Sequence, residues 1–175
     1  LHSFPTRRSS DLASGAELAR TLELIIRDIR PERLWLIANS MGAQVAVDAF
    51  RLLYQQADLA DAETEIADVL LTAPDIDYAE FDDQFRQALE ALARKTTIYV
   101  SSNDRALVAS RLLNRGRRRG ESTLSPSQLE TAPRVVDHDP DDEEVTVVDV
   151  TPVNRTRNFH NFSLETPELD RKSVV

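Results

Sequence analysis

The chain contains no cysteine, so disulfides, thiolate nucleophiles and cysteine-based metal sites are excluded. That absence leaves the cellular compartment open. No apolar run approaches the length of a membrane span. Basic residues are in deficit: 21 Lys and Arg stand against 30 Asp and Glu, a formal net charge of −9. An acidic chain is a poor binder of nucleic acid, whose phosphates call for a basic face. No internal repeat is visible. What remains is a chain of 175 residues, 41% hydrophobic, with the size and composition of one globular domain.

The two ends are read apart from the rest. Thr6–Asp11 can be encoded by ACACGACGCTCTTCCGAT, and Asp170–Val175 by GATCGGAAGAGCGTCGTG. The second string is the reverse complement of the first shifted by one base, and the string resembles a common short-read library adapter. Unrelated protein ends have no reason to be complementary strands of one DNA. Residues 1–12 and 170–175 are therefore expected to be translated adapter and are set aside. His2 falls in this part. The native segment is Ala13 to Leu169, more acidic than the whole because Arg7, Arg8, Arg171 and Lys172 leave with only Asp11 and Asp170. Genomic DNA that encodes these ends without adapter would overturn the reading.

The native segment alternates helical and strand patterns. Ala13–Arg30 has helical period, with Leu18, Leu22, Ile25, Ile26 and Ile29 on one face, and Pro31 ends it. Leu34–Ala38 is a strand-length apolar run, followed by a helix from Gly42 to about Gln56 that turns Val45, Ala46, Ala49, Leu52 and Leu53 inward. Ile66–Thr72 is a second strand, and Phe81–Arg94 an amphipathic helix using Phe81, Phe85, Leu89 and Leu92. Thr96–Ser101 is a third strand, Ala106–Asn114 a short helix, and Val145–Val150 a fourth strand. Between the last two, Gly116–Glu144 is polar and without period. Alternation of this kind predicts an α/β domain with a mostly parallel sheet flanked by helices.

The most informative stretch is Leu36-Ile37-Ala38-Asn39-Ser40-Met41-Gly42. A strand runs into a turn at Ser40 and then into a helix, the layout of a nucleophile elbow. There the serine occupies a strained turn, and residues two before and two after it are expected to be small because strand and helix backbones approach closely. Those residues are Ala38 and Gly42; Ala38 departs from the usual Gly-x-Ser-x-Gly. The backbone N–H of Met41 would point at a developing oxyanion. Read alone, the same residues make a buried strand with a serine as helix N-cap.

Together with Ala73-Pro74-Asp75-Ile76-Asp77 and Tyr99-Val100-Ser101-Ser102-Asn103-Asp104-Arg105, this stretch resembles the alpha/beta-hydrolase superfamily, and within it an uncharacterised bacterial esterase/lipase-like family. The resemblance covers nearly all of the native segment. It implies a partial alpha/beta-hydrolase fold, the C-terminal part of the domain, with N-terminal strands missing and the elbow strand mid-sheet in the whole. It implies a serine hydrolase acting on a small-molecule ester or acyl substrate, with Ser40 as nucleophile, Asp104 as acid, His160 as base and Met41 in the oxyanion hole. No metal and no organic cofactor are called for. The second oxyanion donor and any lid would lie outside the segment, so residues 1–175 by themselves are expected to be inactive. Asp75 and Asp77 are the alternative acids; otherwise they cap or bridge loops. A non-catalytic hydrolase-like interaction module is the rival reading.

Other residues read more plainly. His138, among Asp137, Asp139 and Asp141–Glu144, reads as part of a solvated acidic loop, since the carboxylates lack ligand spacing. Asp149, inside a strand run, reads as a buried hydrogen-bonding group. Arg115 and Arg117–Arg119 read as a solvent-exposed loop, with contact to an anionic substrate or to phospholipid headgroups as the alternative. Substrate, compartment and oligomeric state are not legible.

Overall fold

A computed structural model describes residues 7–55, 66–114, 116–121, 134–139, 142–154 and 160. Among the described residues five strands form one sheet: β1 (Leu34–Asn39), β2 (Ile66–Thr72), β3 (Thr96–Val100), β4 (Arg134–Asp139) and β5 (Asp142–Asp149). Their order is β1-β2-β3-β5-β4. β1, β2, β3 and β5 run parallel, and β4 adds an antiparallel edge to β5. This is a partial alpha/beta-hydrolase fold, with the strand that carries the elbow at one edge of the described sheet.

The helices are α1 (Arg7–Leu24), α2 (Met41–Tyr54), α3 (Tyr78–Glu80), α4 (Arg86–Leu92) and α5 (Arg105–Asn114). Side chains on β1, β2, β3 and β5 alternate in and out. Leu34, Leu36, Ala38, Val69, Leu71, Ile98, Val100, Val145 and Val147 face a core shared with α1, α2 and α4. Phe50, Phe81 and Phe85 are at most 1% exposed in it, and full burial of such a side chain contributes about 1.5–3 kcal/mol. On the opposite face α5 brings Leu107 onto Ala73 and Val150, with Tyr99 and Val148 beside them. Trp35 and Ile37, outward on β1, are 46% and 63% exposed.

The structure departs from the sequence reading in several places. Ile25–Ile29 is π-helical, closed by Arg30 at φ 49° whose N–H donates to the Ile25 carbonyl at 3.0 Å. The wider π turn rotates the residues after it off the expected stripe. Leu22 and Ile26 are buried, but Ile29 is 70% exposed. A second π stretch, Phe81–Phe85, splits the helix expected over 81–94. In α2 the buried face is Ala43, Ala46, Val47, Ala49, Phe50 and Leu53 rather than one that includes Val45. β4 falls in the stretch 116–144, which reads as polar and without period. Residues 137–139, read as a solvated acidic loop, lie instead in the β4–β5 hairpin.

Candidate active site

The four parallel strands place their C-terminal ends along one border of the sheet, where open α/β folds position their ligands. The ladder continues one residue past each strand. Ser40 N–H donates to Thr72 C=O at 2.9 Å, Ala73 N–H to Tyr99 C=O at 3.1 Å, and Val150 N–H to Val100 C=O at 2.9 Å. Each loop is therefore held in register with its neighbour before it diverges.

Ser40 sits at the tip of the first loop with φ 54° and ψ −120°. That is a conformation L-residues rarely adopt, at a cost of about 1–3 kcal/mol, and it persists only where the surroundings fix it. Here its N–H is held by Thr72, and its carbonyl accepts from Ala43 N–H at 3.1 Å and Asp75 N–H at 3.2 Å. The Ser40 side chain makes no capping hydrogen bond to α2. The plain N-cap reading is thus not what the hydroxyl does. Asn39, just before it, accepts from Thr72 Oγ1 at 2.7 Å. Met41 opens α2 as its first residue.

The expected closeness around the turn is not found at Gly42. Ala38 is 8% exposed. A Cβ built on Gly42 meets nothing within 4 Å, so no backbone approach demands glycine there. The tight position is Gly120, where a Cβ would lie 2.7 Å from the Ala73 carbonyl carbon and 2.8 Å from Pro74 N.

Asp104 lies in the loop between β3 and α5 and is wholly buried. Its Oδ1 accepts from the N–H groups of Ala106 at 3.0 Å and Leu107 at 3.1 Å. Its Oδ2 is 2.7 Å from Nδ1 of His160. The loop after β5 is stitched to the loop after β3 by Ser102 N–H to Thr151 Oγ1 at 2.8 Å, Asn103 Nδ2 to Asn154 C=O at 3.1 Å and Asn154 Nδ2 to Ser101 Oγ at 2.9 Å. The hydrogen bond to Asp104 lifts the His160 pKa above its ordinary 6.5, against the opposing pull of burial, and the negative charges of Asp104 and Asp75 add to the rise. Nδ1 is the ring nitrogen turned to Asp104.

The other carboxylates have different partners. Asp77 caps α3, its Oδ1 accepting from Ala79 N–H at 3.1 Å and Glu80 N–H at 3.2 Å. Asp75 Oδ1 accepts from Arg118 Nε at 2.7 Å and Ser110 Oγ at 2.6 Å. Asp149 is fully buried and accepts from Thr151 N–H at 2.8 Å, in keeping with its place inside a strand.

The arginine run is not a solvent-exposed loop. Arg117 is exposed, yet Arg118 is 9% and Arg119 3% exposed. The guanidinium of Arg119 lies over the rings of Tyr78, at 4.9 Å, and Phe81, at 5.2 Å. Arg115 and His2 lie outside the described residues. Arg118 and Ser110 are thus site neighbours that sequence reading missed. Nothing in an Arg-Arg-Arg run signals that its middle member is buried on a carboxylate. Among the described residues no group of three or more His, Asp or Glu is arranged to hold a metal ion, and no helix is long and apolar enough to cross a membrane.

Comparison with known proteins agrees with the architecture. A family model described as "Alpha/beta hydrolase of unknown function (DUF900)" matches residues 3–173. The match overlaps both end segments, whose adapter origin remains a proposal for genomic sequencing to decide. Searches of curated proteins and of solved structures gave no match. With nearly the whole chain matched, an elbow at Ser40 and a sheet of the right topology, the protein belongs to the family of alpha/beta hydrolases of unknown function, DUF900.

Proposed function

We propose that this hydrolase acts on carboxylic esters through an acyl-enzyme formed on Ser40. The observation that carries the reading is the buried Asp104 carboxylate 2.7 Å from His160 Nδ1, at the same sheet border as the strained serine. In this scheme Ser40 Oγ adds to the ester carbonyl carbon while His160 Nε2 takes the hydroxyl proton. The carbonyl electron pair moves onto oxygen, where the N–H of Met41, the first residue of α2, would be one donor. The intermediate collapses, the C–O bond of the ester breaks, and His160 returns its proton to the departing alcohol. Water then repeats the sequence on the acyl-enzyme and releases the acid. Asp104 holds the ring with Nδ1–H toward itself and stabilises the imidazolium.

The test is fluorophosphonate labelling of the complete gene product beside Ser40→Ala. Labelling of the wild type that is lost in Ser40→Ala is the expected result. A folded wild type that takes no label, with no ester turned over, refutes the reading and leaves the non-catalytic interaction module.

A further inference from the structure

Residues 117–120 run antiparallel along residues 74–78. Tyr78 N–H donates to Arg117 C=O at 2.9 Å, Arg119 N–H to Ile76 C=O at 2.8 Å and Gly120 N–H to Pro74 C=O at 2.9 Å. At the centre of this pairing Arg118 reaches Asp75 twice. Its Nε donates to Asp75 Oδ1 at 2.7 Å, and its terminal nitrogen to the Asp75 carbonyl at 2.7 Å. Ser110 Oγ, from α5, donates to the same Oδ1 at 2.6 Å. Both partners of the ion pair are at most 9% exposed. On its other side Asp75 gives its own N–H to the carbonyl of Ser40 at 3.2 Å. Asp75 is thus bonded through amide, carbonyl and carboxylate at once, and one of those bonds ends on the strained serine.

We propose that Asp75, clamped by Arg118, is a positioning residue for the candidate nucleophile and base, its amide holding the Ser40 backbone at the strained turn. The proposal rests on the serine-hydrolase reading above and assigns Asp75 a task beside Asp104 rather than in its place. Three points support it. A serine at φ 54° stays there only if its neighbours fix it, and Asp75 N–H is one of two donors to its carbonyl. A planar guanidinium that bonds a carboxylate and a carbonyl together sets direction as well as charge, which an ammonium cannot do. The negative charge of Asp75 adds to that of Asp104 in raising the His160 pKa, and Arg118 is bonded to Asp75.

The experiment compares the complete gene product with Asp75→Asn, Arg118→Met and Arg118→Lys. The readouts are the rate of fluorophosphonate labelling and the imidazole titration of His160 by NMR, its resonance assigned through His160→Asn. Arg118→Met is expected to slow labelling about 10- to 100-fold, the loss typical of a small misplacement of a reacting group. Asp75→Asn removes a negative charge and moves the His160 midpoint down. Arg118→Met removes the guanidinium beside that charge and moves the midpoint up. Opposite displacements are a signature that loss of packing does not produce. Unmoved midpoints overturn the proposal, whether labelling is slowed or not, since slowing alone is then a packing effect. If Arg118→Met does not fold, Arg118→Lys is read for rate alone, with a smaller loss expected, and Asp75→Asn alone carries the midpoint. If folded wild type takes no label, the nucleophile reading fails. The Asp75→Asn titration then still decides whether Asp75 acts on His160, and an unmoved midpoint sinks that too.

Discussion

Replacing Asp104 by asparagine tests the acid–base pair with almost no change of shape. Oδ1 of Asp104 accepts two backbone N–H bonds, from Ala106 and Leu107. The asparagine oxygen must take that position, because its NH2 group would face two donors there. The NH2 therefore falls where Oδ2 now meets His160 Nδ1. Two donors cannot face each other, so Nδ1 must give up its proton and become an acceptor, and the proton moves to Nε2. A ring protonated at Nε2 cannot accept from Ser40. Reaction through the wrong tautomer is expected to fall about 10⁴-fold, or about 5.5 kcal/mol of transition-state stabilisation. Stability changes far less: a charged hydrogen bond becomes a neutral one, a loss of about 1–2 kcal/mol. The assay is the fluorophosphonate labelling rate of wild type and Asp104→Asn, with thermal melts run in parallel. An Asp104→Asn protein that melts cooperatively and labels at nearly the wild-type rate refutes the argument. If Asp75→Asn instead abolishes labelling, Asp75 is the acid.

Other outcomes follow from the same geometry. The raised pKa of His160 places the acid limb of the labelling-rate profile above pH 6.5, because the base must be neutral to act; a limb at or below that value contradicts the hydrogen bond to Asp104. The same shift stabilises the fold fully below the unfolded-state pKa, and this contribution is lost as pH rises through the higher folded-state value. Stability curves of wild type and His160→Asn should therefore converge on the alkaline side of that window. Gly120→Ala is expected to cost about 1–3 kcal/mol, since its Cβ would overlap fixed backbone, and to slow labelling by shifting the Pro74–Asp75 turn. Gly42→Ala has open space and should leave the melting temperature unchanged or slightly raised. Denaturant titrations that rank these two glycines the other way would overturn the packing argument.

The main elements were legible because their signals are local. Ile66–Thr72 and Thr96–Val100 are apolar runs of strand length, and the turn at Ser40 lies between a strand pattern and a helix pattern. What stayed hidden depends on contacts between distant residues. β4 has only Val135 and Val136 as apolar content and owes its extended form to pairing with β5. The π turns shift the helical period, so Ile29 reads as core and lies exposed. Arg118 and Arg119 read as solvated because burial of a guanidinium needs a carboxylate or ring that sequence spacing does not reveal. Gly42 was assigned a steric task that falls on Gly120 instead, 78 residues further on and opposite the next strand's turn. The candidate acid and base are 56 residues apart in sequence. Only the resemblance to a family linked them before the geometry did.

The central claim is an activated serine at the elbow. It is tested most directly by fluorophosphonate labelling of the complete gene product at pH 8, with Ser40→Ala and His160→Asn measured beside it. The account predicts label on the wild type and none on either variant. Equal labelling of all three, or none on a wild type shown to be folded, contradicts it.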